Sequence, residues 1–276
     1  MTEPPEKLIL IAGREDYPLL LARAARARGV KKIITLAFKG ETSRKIIPLS
    51  DEVIWIRTGK LGDLLTAAER LAPAAVIAVG QLAPRNLFMM RPDRQLSALF
   101  KGLPVKNAHT IFGALLNAVE KTGLTFLPAS SFMQDYIAPA GILTVRAPDE
   151  RELNDIALGL RTVKDTSHLD IGQTVIVKNG MILAVEAFEG TDCAIRRGGK
   201  LGGAGAVAVK VPKRGHDMRF DIPVIGDRTL KTLKRAGISC LALEDSGTII
   251  LNRSDIAAKA DALGIAITVL EKQAGS

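Results

Sequence analysis

Short runs of Ile, Val, Leu and Ala alternate with longer amphipathic stretches along the first half of the chain. KLILIAG reads as a strand ending in a turn. YPLLLARAARARG then reads as a helix closing at Gly29, a residue suited to the left-handed conformation that ends many helices. KKIITLAF and EVIWIRTG are rich in Ile and predict strands. LGDLLTAAERLAP predicts a helix stopped by Pro73, and IFGALLNAVEKTG a later one. AAVIAVG is a short continuous apolar run, the pattern of a strand covered on both faces. Strands and helices in this order predict a parallel sheet with crossover helices.

The stretch IAPAGILTVRAPDE interrupts the alternation with Pro139, Gly141 and Pro148. It places a domain seam there, with a first domain over residues 1–137, a linker over 138–150 and a second domain over 151–276. In the second half ERELNDIALGLRTVKDTSHL predicts a helix. GQTVIVKNGMILAVEAFEG predicts two strands joined by Asn179–Gly180, a favourable hairpin turn. AVAVKV is a strand, RTLKTLKRAG a helix, SCLALEDSGTIILN strand–turn–strand, DIAAKADALG a helix and IAITVLE a strand. The second domain is therefore also α/β, with an antiparallel component.

Composition narrows the class. Of 276 residues 47% are apolar, which favours a folded core over disorder. The opening MTEPPEKLILIAG, with two acids and two prolines ahead of the apolar run, does not read as a signal peptide. No uninterrupted apolar stretch is long enough for a transmembrane helix, while a peripheral membrane contact stays open. Two cysteines, Cys193 and Cys240, make no disulfide framework. The formal charge of +9 favours anionic partners: nucleic acid, phosphorylated metabolites or anionic lipid. Aromatics at 4% supply few stacking platforms, and neither zinc-finger spacing nor a basic region with heptads occurs, so nucleic acid is not the expected partner.

Candidate chemistry in the first half sits at turns after strands, where parallel α/β folds receive phosphate. IAGREDYP offers Gly13 alone, without the several glycines of a dinucleotide fingerprint or a Walker loop. Arg14 could reach a phosphate; Glu15 and Asp16 oppose one, and Asp16 could cap the next helix. VGQLAPRN places Gly80 and Gln81 at another strand end, with Arg85 as an anion partner or a solvated charge. His109 opens a helical pattern, where it caps, packs or takes a catalytic role.

The second half is richer. AVEAFEGTD holds Glu186, Glu189 and Asp192 within nine positions. Gly190 permits a sharp turn, and Thr191 or Asp192 can cap the following helix. Glu186 interrupts an apolar strand pattern, so its carboxylate needs a cation, hydrogen bonds or a proton. KVPKRGHDMRFDIPVIG interleaves Lys210, Lys213, Arg214, His216, Asp217, Arg219 and Asp221. Cations that receive phosphate oxygens and acids that receive a divalent metal suit such a stretch; an exposed charged connection is the alternative.

LDIGQTVIVKNGMILAVEAFEGTDCAIRR and AVKVPKRGHDMRFDIPVIGDRTL together resemble the cytoplasmic UDP-2,3-diacylglucosamine pyrophosphatase family of lipid A biosynthesis. The likeness extends to LILIAG, Pro18 and GISCLALEDSGTIILNRSDIAAKADALGI, and is strongest from Leu169 to Thr229. It implies a Rossmann-like N-terminal domain, a distinct mixed α/β C-terminal domain, a homodimer, and Mg²⁺ or another divalent ion. It implies hydrolysis of the lipid-linked sugar nucleotide to 2,3-diacylglucosamine 1-phosphate and UMP, in the cytoplasm or at the periphery of the inner membrane. It carries the family's essential aspartate onto Asp221, its EGTD onto Glu189 and Asp192, and its DIGQ onto Asp170 and Gln173.

On these grounds Asp221, Asp217 and Glu189 are the expected catalytic residues. Asp221, Glu186, Glu189 and Asp192 are the expected metal ligands. Gly13, Gly80, Gln81, Asp170, Gln173, Thr191, Lys210, Lys213 and Arg219 are the expected substrate contacts. Phe132, Met133, Ile137 and Phe188 line an acyl cleft or pack in the core. Other readings are a non-hydrolytic sugar-nucleotide or phospholipid binding protein and a nicotinamide-dependent oxidoreductase. Asp221→Asn in the correctly folded protein is expected to lose turnover; wild-type turnover would remove Asp221 from the central role.

Overall fold

The computed structural model describes residues 3–80, 91–105, 107–215, 217, 219, 222–245 and 248–272. The chain divides into two compact units, Met1–Met133 with Asp217–Asp221, and Gln134–His216 with Ile222–Ser276.

The first unit is built on a five-stranded sheet of order β3-β2-β1-β4-β5. Its strands are β1 Lys7–Ala12, β2 Lys32–Phe38, β3 Glu52–Ile56, β4 Ala74–Val79 and β5 Leu124–Phe126, and every pairing is parallel. Helices α1 Tyr17–Ala27, α2 Leu61–Leu71, α3 Arg94–Gly102 and α4 Ala108–Glu120 accompany it. Because side chains alternate across a strand, Ile9 and Ile11 meet a core with Leu64 and Ala68 of α2 and Leu116 of α4. Leu8 and Leu10, of opposite parity, are equally buried on the other face. That two-sided burial is why the strand segments read as continuous apolar runs. Helix α3 and strand β5 were not evident in the sequence pattern. The strand has only three residues, and the helix depends on Asp93, whose Oδ1 accepts from Leu96 N at 2.8 Å.

The second unit carries a six-stranded mixed sheet of order β6-β13-β11-β9-β7-β8. Its strands are β6 Gly141–Ile142, β7 Thr174–Lys178, β8 Met181–Val185, β9 Ala206–Lys210, β11 Ile238–Glu244 and β13 Ala266–Leu270. β9, β11 and β13 run parallel; β6, β7 and β8 are antiparallel to their neighbours. One face, with Ile176, Ala184 and Ala208, packs on Ile195 of α6 (Thr191–Gly202), Leu230 and Leu233 of α7 (Asp227–Arg235) and Ile256 of α8 (Arg253–Ala262). The other, with Val175, Val177 and Val209, packs on Ile156 and Val163 of α5 (Glu150–Asp165). The hairpin between β7 and β8 turns at Asn179 (φ 51°) and Gly180 (φ 74°), both left-handed as a two-residue turn of this hand requires. Their amides donate to the buried carboxylate of Asp155 at 2.9 and 2.7 Å.

Two expectations need correction. Residues 138–150 are no free linker. β6 pairs with β13, Ala138 N donates to Thr248 O at 2.9 Å, and Arg146 reaches Glu152, so the segment is built into the second unit. Proline and glycine there shape an edge strand, and edge pairing is decided by a partner far along the chain. SCLALEDSGTIILN is strand, turn and strand as expected, and its second strand, β12 Ile249–Ile250, pairs in parallel with β10 Val224–Ile225 in a separate two-stranded sheet. Residues 217–221 belong with the first unit although the chain reaches them from the second. Among the described residues no helix is long and apolar enough to cross a membrane.

Glu152 anchors the former linker. Its side chain is 1% exposed, and it accepts from Arg146 Nη1 at 2.8 Å, Ser239 Oγ at 2.6 Å and Asp149 N at 3.0 Å. Burial opposes its charge, but the hydrogen bonds from Arg146, Ser239 and Asp149 outweigh burial and hold the carboxyl below its usual range. This contribution to stability is full above the ordinary carboxylate pKa and is lost as pH falls through the lowered value. Glu152→Gln is expected to lower the urea midpoint by an amount equal to about 1–3 kcal/mol at neutral pH, with less difference from wild type in acid.

Candidate functional site

Three neighbouring strands of the second unit end in polar residues on one face. Thr174 on β7 and Lys210 on β9 are register partners, and Glu186 N donates to Thr174 O at 2.8 Å. The three have the same parity as Ile176, Ala208 and Ala184, so they extend the face that packs under α6. There the first residue of α6 lies over the row. Thr191 Oγ1 donates to Glu186 Oε1 at 3.0 Å and accepts from Lys210 Nζ at 3.2 Å, with Thr174 Oγ1 at 3.4 Å.

Glu186 is 8% exposed and Lys210 5%, so both charges are out of water. Each needs the other's field and real hydrogen bonds to offset the desolvation. The second carboxylate oxygen of Glu186 accepts from Gln173 N at 3.3 Å, and its backbone carbonyl from Gly172 N at 2.7 Å. A Cβ on Gly172 would overlap Glu186 Cβ and Cγ, so the glycine makes room for this carboxylate. Lys210 Nζ also approaches Val224 O at 3.5 Å. Gln173 Oε1 is buried here without a hydrogen-bond partner among the described residues.

The stretch after β9 is tied to the same end of the sheet. Val211 N donates to Gln173 O at 3.1 Å. Lys213 forms a largely buried ion pair with Asp170, which sits at φ 49°. Pro212 O accepts from Lys164 Nζ at 3.0 Å, and that buried lysine also pairs with Glu244 at 3.0 Å. Thus Asp170, Gln173, Glu186, Thr191, Lys210 and Lys213 are gathered at one end of the sheet, where β8 and β9 finish and β7 begins.

Other expected residues are engaged elsewhere. Glu189 accepts from Arg197 Nη2 at 2.6 Å. Burial opposes its charge, but the bond from Arg197 prevails and lowers its pKa. Asp192 accepts from Arg228 Nε at 2.7 Å. Neither Thr191 nor Asp192 caps α6; the cap is Gly190, at φ 82° and without a side-chain bond. Among the described residues no three His, Cys, Asp or Glu side chains come together to hold a metal. Glu186, Glu189 and Asp192 each face a different donor.

In the first unit Arg219 binds Asp217 at 2.8 Å, Glu120 at 3.0 Å and Asn117 at 2.9 Å, and lies 6.0 Å from the Phe126 ring centre. The Asp217 hydrogen bond is the main cause raising the Arg219 pKa. Arg219 therefore fastens its segment to α4 and β5, with Asp217 holding the guanidinium. Gly13 and Gly80 follow β1 and β4, the strands at which the sheet order reverses, and Gly13 N donates to Val79 O at 2.8 Å. Gly80 has φ +86°, and a Cβ there would lie 2.6 Å from Arg14 O. Arg14 pairs with Glu41 at 3.6 Å, and Asp16 precedes α1 without a side-chain cap. Met133 is fully buried, Ile137 bridges Ile249, and Phe188 is exposed. Gln81, Arg85, His216 and Asp221 lie outside the described residues, as does the side chain of His109.

Thr174, Gly172 and the Lys164–Glu244 pair were missed in the sequence. Parity alone puts Thr174 on the site's face; knowing that it neighbours Lys210 requires the strand register.

A parallel-sheet α/β unit joined to a mixed-sheet α/β unit, with a buried polar row at one sheet end, defines the class. Residues 7–136 match the LpxI N-terminal domain and residues 139–268 the LpxI C-terminal domain, nearly the whole chain between them. The chain belongs to the LpxI family. UDP-2,3-diacylglucosamine pyrophosphatase LpxI of Caulobacter vibrioides is 28% identical over 279 residues, covering 97% of this chain and 98% of that relative.

Thr191→Val removes the hydroxyl between two buried charges. It is expected to cost about 1–3 kcal/mol in urea unfolding, while Thr191→Ser retains most of the stability. A larger loss in Thr191→Ser than in Thr191→Val would show that the methyl group, not the hydroxyl, matters.

Proposed function

We propose that the protein hydrolyses the pyrophosphate bond of UDP-2,3-diacylglucosamine, giving 2,3-diacylglucosamine 1-phosphate and UMP, in lipid A biosynthesis. The observation that carries this reading is the match of both halves, in chain order, to one family, with a relative named for this pyrophosphatase aligned over nearly its full length. The buried row supports it chemically. In the reaction an oxygen of water bonds to one phosphorus and a bridging P–O bond breaks, leaving two phosphate monoesters. Negative charge grows on the phosphate oxygens, and preorganised donors in a dry site offset such charge effectively. Lys210, oriented by Thr191 and backed by Glu186, is the donor assigned to that charge, with Asp170–Lys213 fixing the adjoining loop.

A divalent ion, magnesium first, belongs to the proposal through Asp221. Glu186, Glu189 and Asp192 face other donors as the chain stands, so no step is derived through a metal. The proposal extends to a homodimer acting in the cytoplasm at the inner membrane.

The test is UMP release from the purified protein and UDP-2,3-diacylglucosamine with magnesium, followed by chromatography. UMP is expected, with loss of activity on chelation and recovery on magnesium addition. Lys210→Met is expected to lower turnover about 10²–10³-fold. Tight binding without UMP would favour a non-hydrolytic carrier, and a nicotinamide absorbance change would favour an oxidoreductase.

A further inference from the structure

Helices α6 and α7 lie side by side and point the same way. Near their starts Asp192 accepts from Arg228 Nε at 2.7 Å; near their ends Gly199 packs so closely on Ala236 that a Cβ would overlap its carbonyl oxygen. The two contacts are separated by similar lengths of chain on each helix, as parallel neighbours require. Along α6, Arg196 and Lys200 follow Asp192 at four-residue spacing, on the side turned to α7. Along α7, Arg228, Lys231 and Arg235 recur at spacings of three and four. All five cations are exposed. Leu230 and Leu233 take the opposite side of α7 into the core.

Among the described residues the seam displays these five cations against Asp192, which is already paired with Arg228, while Asp227, four residues before Lys231, is paired with Lys259. Among the described residues Lys200, Lys231 and Arg235 have no carboxylate partner. Lys200 and Arg235 fall in or beside last helical turns, where a cation also suits the free carbonyls, but Arg196 and Lys231 do not. The α6 side of the seam begins at Thr191, the hub of the candidate site.

We propose that the α6–α7 seam is a docking surface for an anionic lipid bilayer. Its charge complements a phosphate-bearing plane, and each Lys or Arg near such a surface strengthens partitioning about fivefold. The choice of a bilayer over other polyanions rests on the proposed function, whose substrate carries acyl chains and enters from a membrane. The low aromatic content disfavours single-stranded nucleic acid.

The test is co-sedimentation of the full chain with vesicles of equal parts phosphatidylglycerol and phosphatidylcholine, against phosphatidylcholine alone. Salt-sensitive binding to the anionic vesicles only is expected. The combined variant Lys200→Gln, Lys231→Gln, Arg235→Gln is expected to weaken binding about 100-fold. It should leave turnover of detergent-dispersed substrate unchanged. The control Lys39→Gln, Lys45→Gln, Lys101→Gln removes equal net charge from exposed positions of the first unit and is expected to bind as wild type. No binding by wild type, equal weakening by both variants, or preferential retention on nucleic acid over vesicles would each overturn the assignment. Vesicle binding needs no turnover. Binding without UMP release would count against the hydrolase reading alone, and UMP release without binding against this surface alone.

Discussion

A carboxylate and an ammonium group, both withdrawn from water, face one another across a single hydroxyl at the end of the second unit's sheet. The geometry around Glu186, Thr191 and Lys210 follows from that constraint. Neither charge is stable there alone, because a buried ion without partners costs several kcal/mol. Thr191 satisfies both by donating to one and accepting from the other. Its place at the start of α6 makes the helix position depend on the pair. Gly172 must lack a side chain for the carboxylate to fit, and the register of β7 with β9 must put Thr174 beside Lys210. One slipped residue would turn the whole row to the opposite face.

Ion pairing elsewhere shows how a highly charged chain keeps its loops in place. Lys164 and Glu244 hold the backbone after β9, Lys213 and Asp170 the turn before β7, and Arg146 and Glu152 the entry to α5. In the first unit Arg219 does the same for a segment returned from later in the chain. These are arrangements of positioning. They explain why many residues with the right chemistry for phosphate or metal are turned toward partners within the protein. Some of the exposed cations line the outer side of α6 and α7, where they shape an electrostatic face.

The family resemblance and the α/β class were legible in the sequence. So were nearly all long strands and helices, because alternation of period two and amphipathicity of period 3.6 record burial locally. The Asn179–Gly180 hairpin was legible for the same reason: the turn's backbone demands those residues. Glu186 stood out as a polar residue in an apolar strand, and it proved to lie at the centre of the polar row. Short or edge elements such as β5 and β6 were not legible, since two or three residues carry no periodicity.

By itself the sequence determined which segments extend, which coil, which faces are apolar, and that the second half concentrates charge between Asp170 and Asp227. Those properties depend on residues within a few positions of each other. Only the tertiary structure decided that β12 joins β10, that residues 138–150 belong to the second sheet, and that Glu189, Asp192 and Asp217 each meet an arginine. A charge carries no record of its partner along the chain; it takes the partner that strand register and helix packing bring within a few ångströms.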